Sequence, residues 1–259
     1  MLLVDAGNTF IKWARPVPHQ TFRLESVNWQ NFGTVRHHEM AALKQAWHRL
    51  HEETPIRHVL ISNVAGQQLE NTLSGLLETL NPLPESVEWF RSARSLGGIT
   101  NTYQDYRKLG CDRFASMIGA HALLPGKALV VVTAGTATTI DTLSPDGTFL
   151  GGMILPGLKL MADSLAHNTA LLPETNQTLR HLPQFADNTS GAILSGCINA
   201  QAGAIERAVT AHRKHFSDVH CLLSGGAAPY IAPNLSIPCR IIDNLVLIGL
   251  HTSSIRPTY

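Results

Sequence analysis

Apolar and polar positions along this chain follow two rhythms that alternate several times. Residues 1–4 form an apolar run that stops at Asp5-Ala6-Gly7-Asn8-Thr9, and residues 10–14 resume with strand-like character. Gly7-Asn8 between apolar runs signals a tight hairpin, because both residues tolerate a positive φ. Leu43, Ala46, Trp47 and Leu50 keep the i, i+3, i+4, i+7 spacing of an amphipathic helix, and residues 58–62 then read as a buried strand. Helical spacing returns over about 67–80 and stops at Asn81-Pro82, since the residue before a proline is driven out of the helical region. Strands alternating with helices predict a layered α/β unit.

The second half starts again in the same way. Residues 128–132 are a purely apolar strand ended by Thr133-Ala134-Gly135-Thr136-Ala137. A β-branched strand over 138–143 runs into the turn Ser144-Pro145-Asp146-Gly147, and a third strand follows over 149–155. Then come a long helix over about 188–215, strands at 219–223 and 240–242, and an apolar segment, 245–250, that reads as all or part of a closing helix. The strand exits at Val4 and Val132 lie 128 residues apart, close to half of the 259-residue chain. A repeat at that distance predicts two copies of one α/β unit, 1–115 and 116–259, facing a ligand-binding cleft.

Composition narrows the function classes. The chain is 44% hydrophobic and 15% charged, which provides for real cores and excludes disorder. A net charge of +1 with no basic or acidic run argues against nucleic-acid or membrane partners held by a broad field. No apolar run approaches the roughly 20 residues of a membrane span. The first residues read as a strand rather than a leader, and Cys111, Cys197, Cys221 and Cys239 share no metal spacing; reduced thiols and a cytoplasmic location are expected. His212 and His215 stand three apart on a predicted helix with no carboxylate beside them, so no zinc set is assigned.

The chemistry-bearing residues sit at the strand exits. A glycine there lets backbone N–H groups approach phosphate oxygens, and a strand-end carboxylate such as Asp5 suits Mg²⁺ held largely through nucleotide oxygens and water. Lys12 meets either phosphate or solvent. The competing reading of this loop is an ordinary hairpin with an acidic corner. Gly135 and Thr136 offer a second cradle, while neither a P-loop nor a Gly-x-Gly-x-x-Gly pattern occurs. Asp112, in Gly110-Cys111-Asp112-Arg113 ahead of a helix pattern, reads either as a helix cap or as a general base, with Arg113 to hold an anionic group.

Several of these segments resemble type III pantothenate kinases. They are Asp-x-Gly-Asn-Thr-x-x-Lys at 5–12, Asn101-Thr102-Tyr103 leading to Leu109-Gly110-Cys111-Asp112-Arg113, and Gly135-Thr136-Ala137-Thr138-Thr139-Ile140-Asp141. Gly151-Gly152-Met153-Ile154-Leu155-Pro156-Gly157, Asn188-Thr189, Ser224-Gly225-Gly226 and the apolar ending complete the order. The resemblance implies duplicated ribonuclease H-like domains of the actin/hexokinase type, a homodimer, and ATP-dependent phosphorylation of pantothenate to 4′-phosphopantothenate, the first step toward coenzyme A. It implies that Asp5, Ala6, Gly7, Asn8, Thr9, Phe10, Ile11 and Lys12, with Gly135 and Thr136, contact ATP and its Mg²⁺. It makes Asp112 the proton acceptor, and Tyr103, Gly110, Cys111, Asp112, Arg113 and Thr189 the pantothenate pocket. Two departures stand out: Thr133 replaces an acidic residue associated with a monovalent cation (K⁺ or NH₄⁺), and a proline common near Tyr106 is missing. The alternatives are a superfamily kinase for another small hydroxylated substrate, a nucleotide-gated binding module, or a transcription-accessory regulatory protein.

Overall fold

The computed structural model describes residues 1–17, 22, 24, 27–168 and 183–255. The chain divides into two compact units: Met1–Leu124 together with the chain from Leu245 onward, and Pro125–Asn244.

The first unit is built on a sheet ordered β3-β2-β1-β4-β5. Its strands are β1 (Leu2–Ala6), β2 (Phe10–Pro16), β3 (Trp29–Arg36), β4 (His58–Asn63) and β5 (Ser86–Trp89). β1 pairs antiparallel with β2 and parallel with β4, so the chain leaves the sheet after β3 and returns through α1 (Met40–Glu53). A second crossover, α2 (Gln67–Leu77), links β4 to β5. The period-2 pleat divides β1 between two faces. Leu2, Val4 and Ala6 join Leu43, Trp47 and Leu50 of α1 and Leu69, Leu73 and Leu77 of α2 in one core. Leu3 and Asp5 project to the other face.

A short hairpin of β6 (Ser95–Leu96) and β7 (Ile99–Asn101) turns through Gly97 and Gly98, whose φ values of 58° and 82° only glycine adopts readily in succession. α3 (Cys111–Leu123) follows, and the C-terminal α7 (Leu245–Ser254) packs against α3, β1 and β4. Residues 245–251 of α7 are all buried, as expected for a helix that is apolar on every side.

The second unit repeats the plan. β8 (Ala128–Ala134), β9 (Ala137–Leu143) and β10 (Thr148–Pro156) form an antiparallel meander, then β11 (Val219–Ser224) joins β8 in parallel and β12 (Arg240–Ile241) joins β11. The order β10-β9-β8-β11-β12 is the first sheet's order with each strand replaced by its counterpart. α4 (Leu158–Asn168) and the long α5 (Thr189–His212) occupy the first crossover, and the one-turn α6 (Ala228–Ile231) the second. Leu158 and Ala162 of α4 and Ile193, Ile198, Ile205 and Val209 of α5 close the core over Val130, Val132 and Ile140.

The predicted strands and helices over the described residues are present within a few residues of their expected limits, and the duplication is real. Three features differ. Neither Gly7 nor Asn8 has a left-handed φ; the β1–β2 turn is a three-residue link closed by the Gly7 N–H donating to Phe10 O at 3.1 Å. A boundary at 115/116 would cut α3, and the division falls instead at 124/125, with α7 returning to the first unit. That return is a packing event between helices far apart in sequence, so no local pattern announces it. β3, β5 and α4 were also unannounced. β3 carries Gly33 and a largely polar outer row, and its glycine is covered by the Trp13 indole, into which an added Cβ would run at 2.1 Å.

Candidate active site

In the first unit the strand exit of β1 lies beside the N-terminus of α3. Asp5 and Lys12 are directly opposite in the β1–β2 ladder, and like-face partners at that spacing interact. Loss of solvent raises the Asp5 carboxyl from 3.8 to about 7; Lys12 opposes the rise, and the nearby Asp112 charge adds to it. Asp5 and Asp112 therefore belong to one electrostatic neighbourhood although 107 residues separate them in sequence.

Gly110 is the N-cap of α3, and it supplies no side-chain cap. Asp112, in the first turn, accepts the Arg113 N–H through Oδ1 at 2.7 Å, so it satisfies one of the helix's unpaired donors. The N-cap is Gly110, so Asp112 supports the first turn from inside the helix rather than capping it. Burial pushes its carboxyl above the ordinary range, against the Arg113 N–H and guanidinium, which favour the ionised form. A Cβ at Gly110 would fall 2.7 Å from Asp112 Oδ1, so only glycine leaves that carboxylate where it is.

The Arg113 side chain is buried, and its guanidinium lies 6.0 Å from the centroid of the half-exposed Tyr103 ring. Buried Asn101 shapes the segment that presents Tyr103: its amide donates to Ala93 O and Tyr106 O at 3.1 and 3.2 Å, and its carbonyl takes the Tyr103 N–H at 3.0 Å. Cys111 turns inward, with its sulfur 3.3 Å from Ser62 Oγ and 3.5 Å from Asn63 O, so its thiol serves the α3–β4 contact. Burial raises that thiol too.

The first loop is fastened from three directions. The Gly7 N–H donates to Phe10 O, the Val64 N–H donates to Ala6 O at 3.1 Å, and His37 Nε2 lies 2.8 Å from Gly7 O. Asn8, Thr9 and Phe10 are exposed at its tip, whereas Ile11 is buried beneath it. His37 was not singled out from the sequence. It is one polar residue after a strand that the sequence did not reveal, and nothing in its spacing marks it.

The second loop, in the other unit, is fastened likewise. The Gly135 N–H donates to Ala137 O at 3.0 Å, the Ala227 N–H to Ala134 O at 3.0 Å, and the Gly157 N–H to Thr136 O at 2.9 Å. Gly157 and Gly225 sit so close that a Cβ on either would strike the loop backbone, at 2.1 Å from Gly135 O and 2.4 Å from Ala134 O respectively. Gly7 and Gly135 are different. Neither has a left-handed φ, and an added Cβ would meet nothing nearer than 3.4 Å at Gly7 and 3.7 Å at Gly135. The chain's own packing therefore does not demand glycine at either tip.

Thr189 is exposed in the first turn of α5, whose cap is Asn188, accepting the Gly191 N–H at 2.8 Å. Thr133 faces Thr139 across the β8–β9 ladder, and both hydroxyls are buried without a hydrogen-bond partner. Among the described residues no three His, Cys, Asp or Glu side chains gather as a metal site. His212 Nε2 lies 2.9 Å from Leu143 O within the core.

The model of the family described as type III pantothenate kinase matches residues 1–211. The chain is 52% identical to the type III pantothenate kinase of Janthinobacterium sp. (strain Marseille), over 99% of this chain and 98% of the relative. It is 41% identical to the enzyme of the same name from Cupriavidus pinatubonensis, over 97% of each. Among solved structures, a Campylobacter jejuni protein titled as a Baf family transcriptional activator superposes with a TM-score of 0.60 at 20% identity, covering 97% of this chain and 96% of the other. A Sinorhizobium meliloti protein titled as a 2-dehydro-3-deoxygalactonokinase gives a TM-score of 0.57 at 14% identity, covering 97% of each. At those identities the structural likeness carries the fold alone: paired ribonuclease H-like units of the actin/hexokinase type. Matched from end to end by curated relatives and over most of its length by the family model, the chain belongs to the type III pantothenate kinase family.

Proposed function

We propose that this protein transfers the γ-phosphoryl group of ATP to the primary hydroxyl of pantothenate, giving 4′-phosphopantothenate and ADP. The observation that carries the nucleotide half is the pair of glycines, Gly7 and Gly135, that the fold itself leaves room to replace. A residue kept small where the protein has no steric need of it fits the close approach of a polyphosphate to the backbone. Residues 5–12 and Gly135-Thr136 are assigned to ATP on that basis. The donor set fits a divalent ion: Asp5 is a carboxylate at a strand end with polar loop residues beside it, and Mg²⁺ bound there would neutralise phosphate charge.

Asp112 receives the hydroxyl proton as the substrate oxygen bonds to the γ-phosphorus and the bond to the ADP oxygen breaks. Its first-turn hydrogen bond fixes the carboxylate, and its raised proton affinity makes it a better acceptor than an exposed aspartate. Arg113, buried against Tyr103, is suited to the pantothenate carboxylate, and Gly110, Cys111 (through its backbone) and Thr189 are assigned to the same substrate. Where a monovalent cation is expected, Thr133 and Thr139 offer two neutral hydroxyls and no carboxylate. That set leaves a cation's charge uncompensated by the protein.

A homodimer is supported by apolar side chains exposed in the second unit, Leu150, Met153 and Ile154 on β10 and Leu160 and Leu165 on α4. Free cysteines suit the cytoplasm, and no helix among the described residues is long and apolar enough to cross a membrane. One assay tests the reading: purified protein with ATP, Mg²⁺ and pantothenate, with and without K⁺ or NH₄⁺, and with sugars and short hydroxy acids as competing acceptors. Phosphopantothenate formed without a monovalent salt is the expected result. Turnover of another acceptor in preference to pantothenate would overturn it.

A further inference from the structure

Each loop is latched from the residue that follows the third strand, by different chemical groups and at adjacent positions of the loop, Gly7 in the first and the counterpart of Asn8, Thr136, in the second. In the second unit the residue immediately after the third strand of the meander, Gly157, donates its backbone N–H to Thr136 O. In the first unit the residue immediately after the third strand, His37, reaches Gly7 O with Nε2 at 2.8 Å. A carbonyl oxygen only accepts, so His37 carries its proton on Nε2 and donates.

This bond has a consequence for the loop tip. The Gly7–Asn8 peptide is trans, the only cis bond among the described residues being Asn81–Pro82. In a planar trans peptide the C=O and the following N–H point in opposite directions. Holding Gly7 O therefore fixes the direction of the Asn8 N–H, and among the described residues no backbone acceptor takes that N–H. Asn8 itself is exposed and the loop around it is pinned at Ala6, Gly7 and Phe10. The β1–β2 ladder ends at the Ala6–Ile11 pair, so the Gly7–Asn8 peptide lies outside it.

We propose that His37 is a positioning residue for nucleotide binding: its Nε2–H holds the Gly7 carbonyl so that the Asn8 N–H is presented, already oriented, to a phosphate oxygen of the nucleotide. The proposal rests on the assignment of residues 5–12 to ATP. It does not require His37 to touch substrate. Preorganisation of this kind removes an ordering cost at the moment of binding, so it shows in nucleotide affinity rather than in acceptor affinity.

The test compares His37→Ala and His37→Gln with the natural protein, reading ADP affinity by calorimetry, the KM values for ATP and pantothenate, and Tm. His37→Ala should weaken ADP binding and raise KM for ATP about 3- to 10-fold, the size of one lost neutral hydrogen bond, with KM for pantothenate unchanged. His37→Gln places an amide donor near the position of Nε2 and should recover most of that loss. If His37→Ala folds poorly, His37→Leu against His37→Gln reads the same difference at matched size. Unchanged ATP parameters in His37→Ala, equal loss in the alanine and glutamine variants, or equal change in both KM values would overturn the proposal alone. Natural protein that binds no ADP would remove the nucleotide assignment and this inference together.

Discussion

Asp112 is held by its neighbours on both sides along the chain. It accepts from Arg113 behind it, and Gly110 in front leaves it space, so two substitutions test it from different directions. Asp112→Asn keeps the shape and removes the proposed proton acceptor; kcat should fall by about 10²–10⁴-fold with Tm little changed. Gly110→Ala leaves the base but puts a methyl group where Oδ1 lies; a displaced carboxylate should lower kcat on the order of 10- to 10²-fold without abolishing ADP binding. Because burial raises Asp112, the acid limb of kcat/KM against pH should lie above the ordinary aspartate range, activity rising as pH rises and the base ionises; a limb near 4 would contradict the buried placement. Asp5 makes a separate prediction about stability. Its proton affinity is raised in the folded state, so its favourable contribution is complete below 3.8 and is lost as pH rises through about 7. Tm measured from pH 4 to 8 without nucleotide should decline over that window in the natural protein and decline less in Asp5→Asn. At this scale the sequence displayed Asp5, Asp112 and Arg113 plainly, since their types and motifs are local. That Asp5 and Asp112 influence each other was not legible, because it depends on β1 ending beside α3.

The element that decides where Asp112 sits is α3, and α3 is set by α7. The two helices approach so closely that a Cβ on Gly249 would fall 1.8 Å from Ala115 O, and one on Gly119 would fall 2.6 Å from Leu245 O. Each glycine is the contact surface for the other helix's backbone. Gly249→Ala should cost about 1–3 kcal/mol by overpacking and shift the N-terminal turn of α3, lowering kcat as well as Tm. A control exists on α5: Gly196 has open space around its missing Cβ, and Gly196→Ala should instead stabilise by about 0.5–1 kcal/mol through helix propensity. Equal Tm changes in the two variants would refute the close-approach account. The α7 sequence announced burial, being apolar on every side from Leu245 to Leu250. It did not announce its partner, because an all-apolar helix has no stripe from which to read a direction.

For the whole molecule, duplication is the organising fact. Each unit has the same strand order, the same antiparallel meander, and the same loop at the exit of its first strand, fastened to the residue after the third strand and to the segment after the fourth. If both loops serve one nucleotide, damage to either should be felt equally. Mg²⁺-ATP at about 100 times its dissociation constant should stabilise the natural protein by about 2.7 kcal/mol. Lys12→Ala in the first unit and Gly135→Val in the second should each reduce that Tm shift by more than half. A shift lost through one loop and untouched through the other would confine the nucleotide to a single unit.

The amino-acid sequence alone determined the α/β class, the repeat and the strand exits, and it supplied the candidate reactive groups. All of these are carried by the order of apolar and polar residues within a dozen positions, where hydrophobic burial and backbone sterics act directly. Only the tertiary structure decided that α7 belongs with the first unit, that Cys111 faces inward, that Gly7 and Gly135 are not required by the backbone, and that His37 bonds the Gly7 carbonyl of the β1–β2 loop. Those facts depend on which distant surfaces meet, and the free energy of such meetings resides in packing and hydrogen bonds between segments that are strangers in sequence.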